Sequence, residues 1–164
     1  MNTCNTSHKV VDWQAAALWV QNLQKQDKKV VFTNGCFELL HPGHVRYLEE
    51  ARALGDALIV GVNTDASAAR LLKGPGRPFT PEADRSRVLA ALACVDRVVL
   101  FPEDTPLALV TRLTPDILVK GGDYQLEEIV GREIVMARGG RVVALPFIPG
   151  YSTTALLERI RSSR

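Results

Sequence analysis

Lys29-Val30-Val31-Phe32-Thr33 runs without a break into Asn34-Gly35-Cys36-Phe37-Glu38-Leu39-Leu40 and then His41-Pro42-Gly43-His44. Residues 29–33 are β-branched and aromatic at every central position and read as a strand buried on both faces. The chemistry then changes. Gly35 lets the backbone approach a ligand closely, and Pro42 suits the first turn of a helix. A buried strand, a glycine-bearing loop and a helix start form the opening unit of a parallel α/β sheet. In such sheets the loop beyond the strand's carboxyl end is where ligands bind.

Working outward, the same alternation repeats. Ala57-Leu58-Ile59-Val60-Gly61-Val62 reads as a second strand, and residues 97–100, 117–120 and 142–145 as three more. Amphipathic helical periods fall between them at 43–54, 81–93, 106–113 and 127–137, with a shorter helical turn near 66–72 and a last helix at 155–161. Right-handed crossovers then give a doubly wound, Rossmann-like α/β fold, a five-stranded parallel sheet with helices on both faces. A helix at 13–24 belongs to an N-terminal extension, residues 1–27, that packs outside the sheet; residues 28–164 form a single globular domain. Residues 73–80, with Gly74, Pro75, Gly76 and Pro78, are a loop.

Composition narrows the function classes. The chain has 164 residues, 46% hydrophobic and 23% charged, with a formal net charge of +2. That charge offers no broad field for nucleic acid or anionic lipid, so anion binding has to come from a local site. No apolar run is long enough for a signal peptide or a membrane span. Cys4, Cys36 and Cys94 are odd in number and far apart, which makes neither a disulfide framework nor a zinc knuckle. A reducing cytoplasm is the expected setting.

His41 and His44 lie three apart at a helix start and can face the same side. They read either as caps and surface residues or as ligands of a phosphate held by the free N–H groups of the helix N-terminus. Zinc bound by Cys36, His41 and His44 is disfavoured, because no fourth ligand stands at a familiar spacing. Lys73, Arg77 and Arg85 surround the glycine- and proline-rich loop and either clamp a polyanion or keep the loop solvated. A cation in the first turns of a helix opposes its dipole, so Arg85 calls for an anionic partner, a ligand or Asp84. Lys120-Gly121-Gly122-Asp123-Tyr124 leaves the fourth strand through a tight turn. Asn63-Thr64-Asp65 leaves the second, to touch an acceptor or to cap a helix. Gly150-Tyr151-Ser152-Thr153-Thr154 carries more hydroxyls than one cap needs, which suggests a second phosphate-binding helix start.

Residues 33–44 resemble the signature of the cytidylyltransferase-like nucleotidyltransferases, whose H-x-G-H motif contacts the triphosphate. The resemblance extends over residues 28–160: a lysine in the loop (Lys73), an arginine on the following helix (Arg85), and a C-terminal serine-threonine motif. It implies a catalytic set of His41, His44, Lys73 and Arg85. The nucleotide would be bound by Asn34, Gly35, Cys36, Phe37, Lys120, Gly121, Asp123, Tyr151, Ser152, Thr153 and Thr154, together with the two histidines. Asn63, Asp65 and Arg77 would bind the second substrate. Within the family, residues 62–65, 120–124 and 150–154 look most similar to the heptose 1-phosphate adenylyltransferases. That activity is often fused behind a sugar kinase, and here it is expected to stand alone. Two departures are visible: Glu38 where many members have Asp, and Tyr151 in place of a smaller or aliphatic residue.

The expected reaction moves AMP from ATP to a heptose 1-phosphate, with pyrophosphate leaving and ADP-heptose formed for lipopolysaccharide or surface glycan. A sugar phosphate loses its second proton at about pH 6 and is already an anionic nucleophile, so no general base is needed. Mg²⁺ accompanies ATP and is held mainly by the nucleotide, with no dedicated protein metal site. The alternatives are a CTP-dependent enzyme acting on glycerol 3-phosphate or a related phospho-alcohol, and a non-catalytic nucleotide-binding module. A homodimer is expected, with neither nucleic acid nor membrane as partner.

Overall fold

Strand β1 (Val30–Gly35) is the middle of the sheet, pairing in parallel with β2 (Ala57–Asn63) on one side and β4 (Ile117–Gly121) on the other. With β3 (Arg97–Phe101) and β5 (Arg141–Leu145), the five-stranded order is β3-β2-β1-β4-β5, parallel at every pairing. The computed structural model describes residues 5–72, 74–122, 125–146 and 150–162. The chain builds outward from β1 to β3, crosses back, and builds outward again from β4. Strand order therefore reverses between the carboxyl ends of β1 and β4, which opens a crevice there.

Period-2 geometry sends successive side chains to opposite faces, so each central strand feeds two cores. Phe32 and Ile59 join Val99, Leu109, Leu113 and Val135 on one face. Val31 and Leu58 join Leu48, Ala51, Leu89 and Ala90 on the other. Every residue of β2 is buried, as a strand covered on both sides requires. Helices α2 (Pro42–Arg52) and α4 (Glu82–Ala91) cover the second face. Helices α1 (Trp13–Gln24), α5 (Leu107–Leu113) and α6 (Arg132–Ala137) cover the first. The short α3 (Asp65–Leu71) follows β2, and α7 (Thr153–Ser162) closes the chain.

Helix α1 has the bounds its pattern predicts. Asp12 caps it, its carboxylate accepting from Ala15 N–H at 2.7 Å. Ala16, Ala17 and Val20 are buried in the first core. Trp13 Nε1 donates to the Leu100 carbonyl at 2.7 Å, and Val10 bridges in parallel to Val98, shielding the β3 edge.

One helix departs from expectation. The period at 127–137 resolves into a 3₁₀ turn, Leu126–Glu128, and the separate α6. Gly131 divides them at φ +93°, and a Cβ there would stand 2.9 Å from Val110 Cγ1. Helical spacing was present, but backbone packing against α5 demanded a left-handed glycine in the middle of it.

The burial of α1 gives a stability test. Val20→Ala should cost about 2 kcal/mol in urea unfolding through lost core contacts. Leu18→Ala, half exposed on the same helix, should change it by less than about 0.5 kcal/mol.

Candidate active site

The start of α2 is built by His41. Its backbone is extended (φ −140°, ψ 167°), and its Nδ1 accepts from His44 N–H at 3.3 Å while Pro42 occupies the first turn. The capping reading of the sequence is therefore correct for His41, and it does not compete with ligand binding. Capping through Nδ1 leaves the ring's proton on Nε2. The His44 ring stacks on that of His41 with centroids 3.9 Å apart and planes 20° apart, and meets Phe37 edge-on at 5.5 Å. Gly43 between them is a clearance requirement: a Cβ would lie 2.8 Å from Tyr151 Cβ and 3.0 Å from His41 Nδ1.

Electrostatically the pair is unusual for a phosphate site. Burial lowers the pKa of both rings, and for His44 burial together with the neighbouring His41 brings it down to about 4. His44 Nδ1 is buried without a hydrogen-bond partner, and the Leu39 backbone opposes part of the fall in the ring's pKa. At neutral pH both rings are uncharged. Two imidazolium ions at about 4 Å would repel by about 4 kcal/mol in an effective dielectric near 20.

The histidines wall a cavity of about 510 Å³ at the crevice between β1 and β4. Asn34, Gly35, Cys36 and Phe37 line it from β1 and its loop, and Lys120 and Gly121 from β4. Tyr151, Ser152 and Thr153 line it from the start of α7. Ser152 Oγ accepts from Ala155 N–H at 3.0 Å and caps α7, so two helix N-termini converge on one space. Thr154 was expected here, but it is exposed and not among the lining residues. Two residues beyond Ser152, about half a helical turn, its side chain points to the opposite side.

Lys120 stands on the divider between this cavity and a second one of about 370 Å³, lined by Asn63, Asp104, Thr105 and Glu128 among others. Asn34, Gly35 and Cys36 border both. Lys120 Nζ lies 3.5 Å from Asn34 Oδ1, and burial lowers its pKa against the opposing pull of Cys36. Burial raises the Cys36 thiol, whose Sγ lies 3.8 Å from Asn63 Oδ1, so it is a poor thiolate. The sequence reading missed Tyr47, which lines the first cavity. Its hydroxyl pairs with Thr33 Oγ1 at 2.6 Å, and burial pushes its pKa up to about 12. The signal was available, since Tyr47 lies three residues beyond His44 on the same helix face.

Four expected ligand-binding residues, Arg85, Asp65, Arg77 and Asn63, are engaged within the protein. Arg85 is almost fully buried. It donates to the carbonyls of Thr80 at 2.9 Å, Cys36 at 2.5 Å and Asn63 at 2.9 Å, and to Asp65 Oδ1 at 2.8 Å. The anion it needs is Asp65, neither Asp84 nor a phosphate, and it does not line the cavity. Arg77 forms a bidentate pair with buried Glu38, which also accepts from Phe79 N–H at 2.8 Å. Burial opposes ionisation of Glu38, but Arg77 and Phe79 outweigh it and hold the carboxyl below its ordinary range. This departure from the family's Asp is thus the anchor of the glycine-proline loop. The Asn63 amide donates to Ser67 Oγ at 2.9 Å and the Glu103 carbonyl at 3.3 Å, bracing the turn into α3 as it borders the second cavity. Lys73 and Asp123, with Tyr124, lie outside the described residues. Among those described, no group of three or more His, Cys, Asp or Glu could hold a metal ion.

Comparison with known proteins agrees with this geometry. A family model described as cytidylyltransferase-like matches residues 32–159. The bifunctional protein HldE of Citrifermentans bemidjiense is 55% identical over 159 residues, covering 97% of this chain and 32% of that protein. HldE of Magnetococcus marinus is 52% identical over 162 residues, 99% of this chain and 33% of the relative. The chain spans about a third of the length of these relatives. Among solved structures, the lipopolysaccharide core biosynthesis protein from Thermoplasma volcanium superposes with a TM-score of 0.61 at 30% identity, covering 74% of this chain and 97% of that one. Pantoate-beta-alanine ligase from Francisella tularensis, at 17% identity and a TM-score of 0.57 over 84% of this chain and 66% of its own, shares the fold.

Two outcomes test the local physics. Arg85→Met strands three backbone carbonyls and should cost about 3–5 kcal/mol in urea unfolding. His44, held near pKa 4 against 6.5 in an unfolded chain, contributes stability that is complete above pH 6.5 and is lost as pH falls towards 4. The unfolded state binds the proton first, so the loss should be on the order of 2 kcal/mol once solvent screening of this half-buried ring is allowed for. Urea midpoints measured from pH 7.5 to 4 should show it, and His44→Gln should flatten it.

Proposed function

This chain belongs to the cytidylyltransferase-like family of nucleotidyltransferases, and from that premise we propose that it transfers AMP from MgATP to a heptose 1-phosphate. Pyrophosphate leaves, and ADP-heptose is formed for lipopolysaccharide or surface-glycan synthesis. One observation carries the reading: stacked histidines, two helix N-termini and Lys120 converge on a single cavity at the point where strand order reverses. The solved relative described as a lipopolysaccharide core biosynthesis protein supports the choice of acceptor class.

The chemistry follows from that arrangement. MgATP brings its own metal, coordinated by its phosphates. An oxygen of the acceptor phosphate, anionic at neutral pH, forms a bond to the α-phosphorus as the bond from that phosphorus to the bridging oxygen breaks. The electron pair leaves on pyrophosphate, and no proton has to be removed from the nucleophile. What impedes the step is repulsion between two phosphates and their alignment. Lys120, on the wall shared by the two cavities, faces both phosphates and offsets that repulsion. His41 and His44 donate to the oxygens that gain charge, and the α7 start with Ser152 and Thr153 receives the outer phosphates. Lys73 closes over them, and Asp123 contacts the nucleoside.

The second cavity suits a polyhydroxyl acceptor, because Asp104, Glu128 and Thr105 can accept or exchange hydrogen bonds with sugar hydroxyls. Arg85 and Arg77 act through others: they fix the backbone of the site's loops. No helix among the described residues is long and apolar enough to cross a membrane. A cytoplasmic homodimer is part of this proposal, and light scattering at micromolar concentration checks the dimer.

Pyrophosphate release across four nucleotides and several phosphorylated acceptors tests the assignment. ATP with a heptose 1-phosphate should give the highest kcat/KM, and CTP with glycerol 3-phosphate little. A binding module would give a thermal shift with nucleotide and no pyrophosphate. His44→Ala should lower kcat by about 10²–10³-fold with its circular dichroism unchanged; near-normal turnover would sink the assignment.

A further inference from the structure

Strand pairing breaks off at the cavity. Strand β1 pairs with β2 as far as Gly35 with Val62. Its pairing with β4 stops much earlier, after Val31 with Ile117 and Phe32 with Leu118. Strand β4 itself continues to Gly121, in register with β5. The seam between β1 and β4 is therefore zipped at one end and forked at the other. Asn34 and Gly35 on one prong, and Lys120 and Gly121 on the other, line the first cavity.

One side chain stands in that fork. Continuing the register, the next pair would be Thr33 with Val119, and the Tyr47 hydroxyl joins those two residues. It lies 2.6 Å from Thr33 Oγ1 and 3.4 Å from the Val119 carbonyl oxygen. Both bonds are made when Thr33 donates to the phenol oxygen and the phenol proton goes to the carbonyl. Thr33 is fully buried, where a hydroxyl needs a protein partner.

The phenol ring adds a contact further along β4. A Cβ on Gly121 would lie 3.0 Å from Tyr47 Cε2, so glycine is what lets the ring close on the backbone there. Tyr47 thus touches the residues on both sides of Lys120, Val119 by its hydroxyl and Gly121 by its ring. Lys120 borders both cavities. Tyr47 and His44 share helix α2, so one helix carries the histidine pair and the group that grips the backbone around Lys120. A phenylalanine would fill the same space against Gly121; only the hydroxyl spans the fork.

We propose that Tyr47 is a positioning residue for nucleotidyl transfer. Its hydroxyl, bridging the first open rung between β1 and β4, fixes the width of the crevice and with it the place of the Lys120 ammonium relative to the two histidines. This rests on the transfer reading above, in which Lys120 offsets the repulsion between donor and acceptor phosphates. Tyr47 exchanges no proton in the reaction: burial pushes its pKa up to about 12, so it is no base at neutral pH.

The test is a double-mutant cycle on pyrophosphate release from MgATP and a heptose 1-phosphate. Misplacing a group that aligns reactants is costly, so Tyr47→Phe should lower kcat about tenfold while the KM for MgATP changes by less than about twofold. On a Lys120→Met background the same substitution should lower kcat by no more than about twofold. Wild-type kcat in Tyr47→Phe, or the whole of that loss with Lys120 already removed, would overturn the inference. Thr33→Val removes the other half of the bridge and should give the same pattern, which keeps the cycle decisive if Tyr47→Phe folds poorly. A second reading needs no reaction. In protein labelled with [ε-¹³C]lysine, the Lys120 signal is assigned by its loss in Lys120→Met. It should titrate below the ordinary lysine range, because the ammonium is buried, and shift upward in Tyr47→Phe as the fork admits water. An unmoved titration overturns the positioning role whatever the kinetics. Absence of pyrophosphate from the wild type with every nucleotide would overturn the transfer reading, and the Lys120 signal would then decide its position alone.

Discussion

Four hydrogen bonds from one buried guanidinium hold together the exits of β1 and β2, the turn before α4 and the start of α3. Arg85, on α4, takes the carbonyl just beyond β1, the carbonyl closing β2, the carbonyl of the turn before its own helix, and the carboxylate that opens α3. Two of those carbonyls stand at strand exits and the third in the loop before α4, places where backbone groups lack ladder partners and would otherwise be buried unpaired. The planar fork of arginine reaches several directions at once, which a lysine cannot do. The second strut, Glu38 with Arg77, ties the glycine-proline loop to the same β1 exit. Since that exit leads directly into Leu39, Leu40 and His41, the position of the histidine pair depends on both.

Seen this way, charged residues divide by what they face. Those buried beneath the loops are neutralised by the protein and set geometry. The one on the sheet that borders both cavities, Lys120, carries its charge in a poorly hydrated place, and burial weakens its hold on the proton. A cation in that condition gains most from an anion, because the interaction replaces little water. With a net charge of only +2, the molecule offers an anion this local arrangement and its helix N-termini rather than a long-range field.

The strands were legible because each is covered on both faces and so carries an unbroken apolar run; helix α1 was legible because Asp12 announces its start. The helix expected at 127–137 was not, since spacing says nothing about the Val110 side chain that forces a left-handed Gly131. For the candidate site, residue type, position relative to a strand end and the family resemblance singled out His41, His44, Lys120, Ser152 and Thr153, which the structure brings to the wall of one cavity. They were not enough for the arginines. Whether a guanidinium meets solvent, ligand or carbonyl depends on contacts such as that of Arg85 with Cys36, 49 residues away. The partner proposed from local sequence, Asp84, was one residue away and wrong; Asp65, twenty residues back, is the true one.

The capping and phosphate readings of His41 looked like rivals while only the sequence was in view. In the structure they reinforce one another. Using a ring nitrogen as the cap fixes the tautomer, and the fixed tautomer leaves Nε2–H as a donor without a charge to desolvate. A serine cap would satisfy the same N–H but would present no second nitrogen to a ligand. The stacked partner, spared the capping duty, keeps one buried and unpaired nitrogen. Such a group costs stability in the folded protein.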